Sequence, residues 1–171
     1  GANTYLISVG SYISVISHPP RAWPAHLIHS ISGLIVIPTP LRQDDLAELE
    51  KWSLPYLVAS DSELAGPAIL YDIEKAARQL TEGLLALGHR RFGLISGHRQ
   101  HSDLIKKHGI AAALAKAGLD FASVPDYLTN FDVKLGRQAA QDLFRTHPEV
   151  TAVIASDDVL AMAAIQVAQQ V

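Results

Sequence analysis

Two histidines and a carboxylate form the cluster whose spacing most suggests a metal site. His98 and His101 lie three residues apart and close to Asp103, and all three side-chain types bind zinc. The chain has no Cys, and no further His or carboxylate stands nearby at ligand spacing. A polar loop that leads into a helix is therefore the favoured interpretation, and we expect neither a metal nor a cofactor.

Two other charged clusters have both a chemical and a structural interpretation. Asp157 and Asp158 would suit a catalytic or metal-binding acid pair, but Ser156 precedes them and a helical stretch follows. We therefore favour a helix cap for one carboxylate and a ligand contact for the other. The run from His89 to Arg91 would suit a phosphate or nucleic-acid patch. An exposed turn that complements the dipole at the end of a helix is the simpler interpretation.

The sequence lacks the common signatures of α/β enzymes. It has no GxGxxG after a strand, no GxxxxGK[ST] loop and no GxSxG turn, so nothing supports dinucleotide, P-loop or serine-hydrolase chemistry. No nucleophile–base arrangement stands out, so we expect a protein that is not an enzyme. An enzyme built on a doubly wound sheet remains the weakest of three alternatives.

Alternating apolar runs and helical stretches must position these clusters. The runs are mostly continuous in Ile, Val and Leu, which is typical of parallel strands buried on both faces. We predict strands at residues 4–9, 33–38, 55–59, 91–96, 126–130 and 150–156. We predict helices at residues 43–52, 73–87, 102–117, 135–146 and 158–170, with Gly88 and Gly118 as helix stops.

This alternation predicts an α/β fold with doubly wound parallel sheets. A polar link at residues 60–70, which contains Gly66 and Pro67, suggests two lobes at residues 1–70 and 71–171. Ligands of such sheets bind beyond the carboxyl ends of the strands.

Composition narrows the function classes further. Hydrophobic residues make up 49% of the 171 residues, which excludes an intrinsically disordered chain. The net charge of -3 argues against a segment that itself grips nucleic acid. No apolar run of roughly 20 residues is present, so we expect no membrane contact.

Several segments resemble the lactose/galactose-repressor (LacI/GalR) family of transcriptional regulators. Residues 84–97, LLALGHRRFGLISG, resemble the family's hLielGHrrIafisG segment, and Tyr71-Asp72 precedes them. Four more stretches match family segments in order: residues 31–38 (ISGLIVIP), 109–119 (GIAAALAKAGL), 131–143 (FDVKLGRQAAQDL) and 151–162 (TAVIASDDVLAM). The GHRR segment favours regulators over the secreted sugar-binding proteins that share the fold.

The resemblance implies a two-lobed fold like that of periplasmic binding proteins, with each lobe a doubly wound parallel sheet. It implies that both ends are incomplete. The family's first strand and helix and its DNA-binding headpiece are expected before Asn3, and its final strand is expected after Val171. The headpiece, and therefore direct DNA binding, is expected to lie outside this sequence.

The resemblance also implies five ligand-binding positions. The aromatic residue of the cleft falls on Phe131, and the Asn of the family's Asn-Asp pair falls on Asp157, where a carboxylate favours polyol or cationic groups over anionic ones. The acid after a strand of the first lobe falls on Ser60, and an aromatic at the crossover falls on Tyr71. The usual cleft arginine falls on Leu104, which cannot pair with a carboxylate or a hydroxyl pair.

The favoured function is therefore the effector-binding and dimerisation domain of a bacterial LacI-type regulator in the cytoplasm. The implied partners are a sugar, polyol or nucleoside effector, DNA through the headpiece, and a second copy in a homodimer. The alternative is a secreted sugar-binding protein of a transport system.

Overall fold

The computed structural model describes residues 4–9, 12–16, 31–37, 47, 49–60, 66–97 and 101–170. The chain separates into two compact units, Gly1–Tyr71 and Asp72–Val171. Both units are α/β, as the apolar runs and helical stretches predict. His98, one of the candidate metal ligands, lies outside the described residues.

The first unit contains a five-stranded sheet. Its strands are β1 (Thr4–Val9), β2 (Tyr12–Ile16), β3 (Gly33–Ile37), β4 (Tyr56–Ser60) and β5 (Ala68–Leu70). The order across the sheet is β2-β1-β3-β4-β5, with β3, β4 and β5 parallel. Three of these strands agree with the predicted ones to within one residue. The strands β2 and β5 were not predicted, and β5 falls inside the segment interpreted as a link.

The strand β1 differs from the all-parallel sheet expected for this lobe, because it pairs antiparallel with both β2 and β3. Only Gly10 and Ser11 separate β1 from β2 in the sequence. A parallel connection needs a dozen or more residues, so two adjacent strands joined by two residues can only run antiparallel.

The described core of the first unit is one-sided. Leu34, Val36, Val58 and the helical residue Leu49 are at most 4% exposed, whereas Ile35 is 47% exposed. The prediction that β3 is buried on both faces is therefore wrong for the described residues. Of the helix predicted at 43–52, residues 47 and 49–51 are helical, and residues 43–46 and 48 lie outside the described part.

The second unit has a parallel three-stranded sheet between two pairs of helices. The strands are β6 (Phe92–Ser96), β7 (Asp126–Leu128) and β8 (Ala152–Ala155), in the order β7-β6-β8. The helices are α1 (Ile73–Ala86), α2 (His101–Lys116), α3 (Val133–Thr146) and α4 (Asp158–Ala168). Every residue of β6 is buried, as its continuous apolar run predicts.

The two faces of β6 supply two separate cores. On one face Ile95 packs with the α3 and α4 residues Leu143 and Leu160. On the other, Leu94 packs with Ile110 of α2, and residues of α1 lie against the same cluster. The alternation of side chains along a strand thus divides the unit into helix, sheet and helix layers.

Glycine sets two helix ends and one close helix contact in this unit. Gly88 and Gly118 have φ angles of 95° and 73°, the left-handed conformation expected of the predicted helix stops. Gly109 of α2 lies against α1, where an added Cβ would stand 2.2 Å from the backbone oxygen of Glu74. Only glycine permits this approach of the two helices.

Candidate ligand-binding site

The carboxyl edge of the second sheet gathers the segments that follow its three strands. The amide of Thr129 donates to the Ser96 oxygen over 2.9 Å, and the amide of Asn130 donates to the Gly97 oxygen over 2.8 Å. On the other side of β6, the Ser156 amide donates to the Ile95 oxygen over 3.0 Å. These bonds place the predicted site segments after β7 and β8 on either side of the end of β6.

Phe131 lies over Gly97 at this edge. A Cβ added to Gly97 would stand 2.0 Å from Cζ of the Phe131 ring, so the ring occupies the space that a side chain would need. The ring remains accessible, since Phe131 is 38% exposed. The predicted aromatic residue therefore lies at the strand ends, at a position where an aromatic platform can meet a ligand.

The backbone at Phe131 is strained and firmly braced. Asn130 and Phe131 have φ angles of 53° and 59°, and a bulky residue in this region costs of order 1–3 kcal/mol. The buried Thr129 hydroxyl donates to the Ser96 oxygen over 2.9 Å, and the Asp132 amide donates to the Thr129 oxygen over 3.0 Å. Strain that the surrounding hydrogen bonds hold in place is typical of functional sites.

Asp157 caps α4 at the opposite side of the edge. Its Oδ1 accepts a hydrogen bond of 2.7 Å from the Leu160 amide. A carboxylate has about four acceptor positions, so capacity for a ligand donor remains after capping. With β6 between them, Phe131 and Asp157 are about two strand spacings apart, or about 10 Å. We call Gly97, Phe131 and Asp157 the rim site.

The role of Leu104 in ligand binding remains a prediction. Leu104 is 47% exposed near the start of α2. Two residues further on, Lys106 reaches from α2 to β8, where its Nζ donates to the Ser156 oxygen over 2.8 Å. The same Nζ lies 3.5 Å from Oδ1 of the buried Asp103.

Sequence reasoning missed Lys106, although its spacing was available. Asp103, Lys106 and Ile110 lie three and four residues apart and therefore share one face of α2. Ile110 belongs to the core on the sheet. A lysine on the buried face of the helix that follows β6 is the sequence signal that could have identified Lys106.

Ser60 and Tyr71 belong to the first unit and lie together there. Ser60 is buried at the end of β4, and its backbone oxygen accepts a 3.0 Å hydrogen bond from the Tyr71 amide. Tyr71 is 43% exposed after β5. Their roles in ligand binding remain predictions.

The run from His89 to Arg91 follows the end of α1, as its structural interpretation predicts. Arg90 donates from Nη1 to the backbone oxygens of Leu85 and His89, both over 2.8 Å, so it satisfies carbonyls at the end of α1.

Within the described residues, no group of three or more His, Cys, Asp or Glu side chains is placed to hold a metal. No helix in the described ranges is long and apolar enough to cross a membrane.

A three-layer α/β unit with an aromatic and a carboxylate at its strand ends defines the class of α/β small-molecule-binding domains. Comparison with known proteins gives the family. Residues 14–171 match the family described as periplasmic binding proteins and sugar binding domain of LacI family. The chain belongs to this family, which confirms the resemblance described above.

Individual relatives agree with this assignment. The transcriptional repressor PurR of Aliivibrio salmonicida is 27% identical over 82% of this chain and 43% of its own length. The transcriptional regulator GntR of Escherichia coli K12 is 28% identical over 79% of this chain and 41% of its own length. The chain thus spans less than half the length of these relatives.

Solved structures share the fold. A LacI family transcriptional regulator from Enterococcus faecium, crystallised with bound ribose, superposes with a TM-score of 0.70 at 21% identity. The match covers 85% of this chain and 56% of that one. This confirms the predicted α/β fold class of the periplasmic-binding-protein type.

Proposed function

We propose that this chain is the effector-binding part of a LacI-type transcriptional regulator, and that the rim site contacts the effector. The observation that carries the proposal is the braced Phe131 ring over Gly97, with the Asp157 carboxylate across the end of β6. The ring offers a flat surface for the C–H face of a sugar or for a base. The carboxylate accepts hydrogen bonds from hydroxyl groups.

The effector in this proposal is an uncharged sugar, polyol or nucleoside. Asp157 at the rim disfavours an anionic group, and Leu104 offers no cation to pair with one. Ser60 and Tyr71 are proposed as further contacts from the first unit. The chain acts by binding rather than by catalysis in this scheme.

A binding screen tests the rim site directly. Sugars, polyols and nucleosides are screened by thermal shift, and hits are measured by calorimetry against matched variants. Asp157→Asn keeps a capping oxygen but loses the charge and two acceptor positions, whereas the exposed neighbour Asp158→Asn serves as the control. We expect Phe131→Ala and Asp157→Asn each to weaken binding about tenfold or more. Binding that survives both substitutions unchanged would place the effector elsewhere.

We also propose that α4 contributes to a homodimer. Val159, Met162 and Ile165 recur every three residues along this helix and are 39%, 61% and 56% exposed. An apolar stripe of this kind on a helix is typical of an interface. Sedimentation should give twice the monomer mass of 18.4 kDa for the parent chain. Met162→Glu should shift it to monomer, and the exposed Gln169→Glu should not.

DNA binding is assigned in this proposal to another part of a longer protein in the cytoplasm. The net charge of -3 fits a sensing segment, and the relatives named above are transcriptional regulators, which favours this role over that of a secreted transport protein. The effector can shift the equilibrium between two conformations of the protein only by the difference between its binding free energies for those conformations. Tight operator binding by the 171-residue chain in a gel-shift assay would contradict the assignment.

A further inference from the structure

Ser96, the last residue of β6, is tied to β7 and its continuation at two points. Its hydroxyl donates to Oδ1 of Asp126, at the start of β7, over 2.6 Å. Its backbone oxygen accepts hydrogen bonds of 2.9 Å from both the amide and the hydroxyl of Thr129, which follows the end of β7. Ser96 is 2% exposed, and a hydroxyl buried to this extent needs an acceptor within the protein. Asp126 supplies that acceptor.

Asp126 is itself held from a helix. The Nζ of Lys107 on α2 contacts Oδ2 of Asp126 at 2.6 Å, so the two carboxylate oxygens have separate partners. The Lys107 side chain is largely buried, which fixes the direction from which it meets the carboxylate. Hydrogen bonds to an ionised acceptor are shorter and stronger than bonds between neutral groups. The Asp126 carboxylate therefore joins α2 to the end of β6.

The segment that follows β7 carries these contacts to the rim site. Thr129 precedes Asn130 and Phe131, the two residues with φ angles of 53° and 59°. The Asn130 amide donates to the Gly97 oxygen over 2.8 Å, and the Phe131 ring lies over the same glycine. A strained segment keeps its conformation only while the surrounding structure holds it. A movement at the end of β6 would therefore move the ring as well.

We propose that Asp126 is a positioning residue of the rim site. It holds Ser96 in place and thereby keeps the Phe131 ring over Gly97. Lys107 orients the carboxylate for this role, and neither charged side chain is assigned a contact with the effector. The inference rests on the proposed function, in which the Phe131 ring is the surface that meets the effector.

Amide hydrogen exchange of the 171-residue chain measures this role. Asp126→Ala removes the acceptor of the Ser96 hydroxyl and loosens the backbone oxygen to which the next segment is bonded. The Thr129 and Asn130 amides should therefore exchange about tenfold faster than in the parent chain. Unchanged exchange at both amides would overturn the proposal.

Two amides at the opposite end of β6 are the internal control. Thr151 and Ala152 both donate to the Arg91 oxygen, just before β6 begins, and their exchange rates should stay at the parent values. Equal acceleration of the Thr129 amide and these two would identify a general loss of stability. That result would refute a positioning role.

The Gly97 proton signals report the ring directly. An aromatic ring shifts the NMR signals of protons close to it, so Phe131→Ala defines where the Gly97 Hα signals lie without the ring. Asp126→Ala should move these signals toward that position. Asp126→Asn should move them less, because its amide oxygen still accepts from the Ser96 hydroxyl. Gly97 signals that stay at the parent position in Asp126→Ala would overturn the proposal.

Three further variants divide the contact and control for the loss of a carboxylate. Ser96→Ala removes the hydroxyl and should move both measurements in the same direction as Asp126→Ala. It carries the same test if Asp126→Ala does not fold, and a parent-like result for Ser96→Ala would refute the proposal. Lys107→Met should have a smaller effect, since the carboxylate remains beside the Ser96 hydroxyl. Asp142→Ala is the matched control: its carboxylate pairs with Arg145 within α3 at 2.9 Å, and its loss should change neither measurement.

Failure of this inference is distinguishable from failure of the proposed function, because both measurements are made without an effector. A ring that stays in place in Asp126→Ala overturns the positioning role and leaves the rim site as proposed. Effector binding that survives Phe131→Ala and Asp157→Asn overturns the rim site and leaves the measured effect of Asp126 on the ring unchanged.

Discussion

Replacing Gly97 by alanine should force the aromatic ring of Phe131 away from the strand end. The added Cβ would stand 2.0, 2.1 and 2.4 Å from Cζ, Cε1 and Cε2 of that ring. Carbon atoms in favourable contact are about 3.5–4.0 Å apart, so the ring must move by about 1.5–2 Å. Gly97 is not among the glycines with positive φ, so alanine adds no backbone strain of that kind.

The size of the effect follows from these contacts. Overpacking of this kind costs about 1–3 kcal/mol in the free energy of unfolding. All three of the nearest atoms belong to Phe131, so the same change in a Phe131→Ala background should cost less than about 0.5 kcal/mol. A double-mutant cycle should therefore give a coupling energy of about 0.5–3 kcal/mol between the two positions.

Urea unfolding followed by circular dichroism at 222 nm measures the four chains of this cycle. Both tryptophans, Trp23 and Trp52, belong to the first unit, so their fluorescence is an internal control that should keep its midpoint. An equal cost of Gly97→Ala with and without the Phe131 ring would refute the reasoning. So would an unchanged stability of the single variant.

Three further changes test the supports of the rim and a surface carboxylate. Asp157→Ala should lower the free energy of unfolding by about 1 kcal/mol through loss of the α4 cap, while Asp157→Asn stays close to the parent in the same urea assay. Thr129→Val should cost about 1 kcal/mol by removing the hydroxyl bond to Ser96, and methyl NMR should show the Val side chain still buried. The pKa of Glu149 is held below its ordinary value of 4.5 by a hydrogen bond from its own backbone N–H and then by His147. The stabilisation that this interaction gives is present above pH 4.5 and is lost as the pH falls through the lower native pKa. Glu149→Gln should therefore lose less stability than the parent chain as the pH is lowered below 4.5, and equal losses in the two chains would contradict this.

Local signals in the sequence account for much of the second unit. The continuous apolar run at Phe92–Ser96 predicted a strand buried on both faces, and Gly88 and Gly118 predicted two helix ends. The oxygens before α4 predicted a cap, which Asp157 provides. Each of these features depends on residues within one turn or one strand, so periodicity and composition can reveal them.

The first unit shows where such signals fail. The strand β5 has only three residues, too few for a hydrophobic period to stand out from a link. The sequence predicted the strand that ends at Val9 but not the second strand, Tyr12–Ile16, although the two-residue spacing fixes the antiparallel pairing once both strands are known. Ile35 is exposed despite its apolar neighbours, because burial on the second face depends on what packs there and not on the strand itself.

Part of the candidate site was likewise predicted from the sequence, and part of it depends on the folded structure. The resemblance to a known family supplied Phe131 and Asp157, but the approach of the Phe131 ring to Gly97 depends on two strands that meet only in the folded unit. Leu104 was predicted as a ligand contact because it aligns with the usual cleft arginine of the family. Two residues further on, the charged side chain of Lys106 reaches the Ser156 oxygen, because helical spacing turns that position toward the end of β8.

The bare surface of Gly109 makes the contact between α1 and α2 sensitive to a single carbon atom. The two helix backbones meet there without an intervening side chain, since an added Cβ would stand 2.2 Å from the backbone oxygen of Glu74. Any side chain at this position would therefore have to push the two helices apart. Gly109→Ala thus offers a way to open this helix contact while every residue of the rim site keeps its identity.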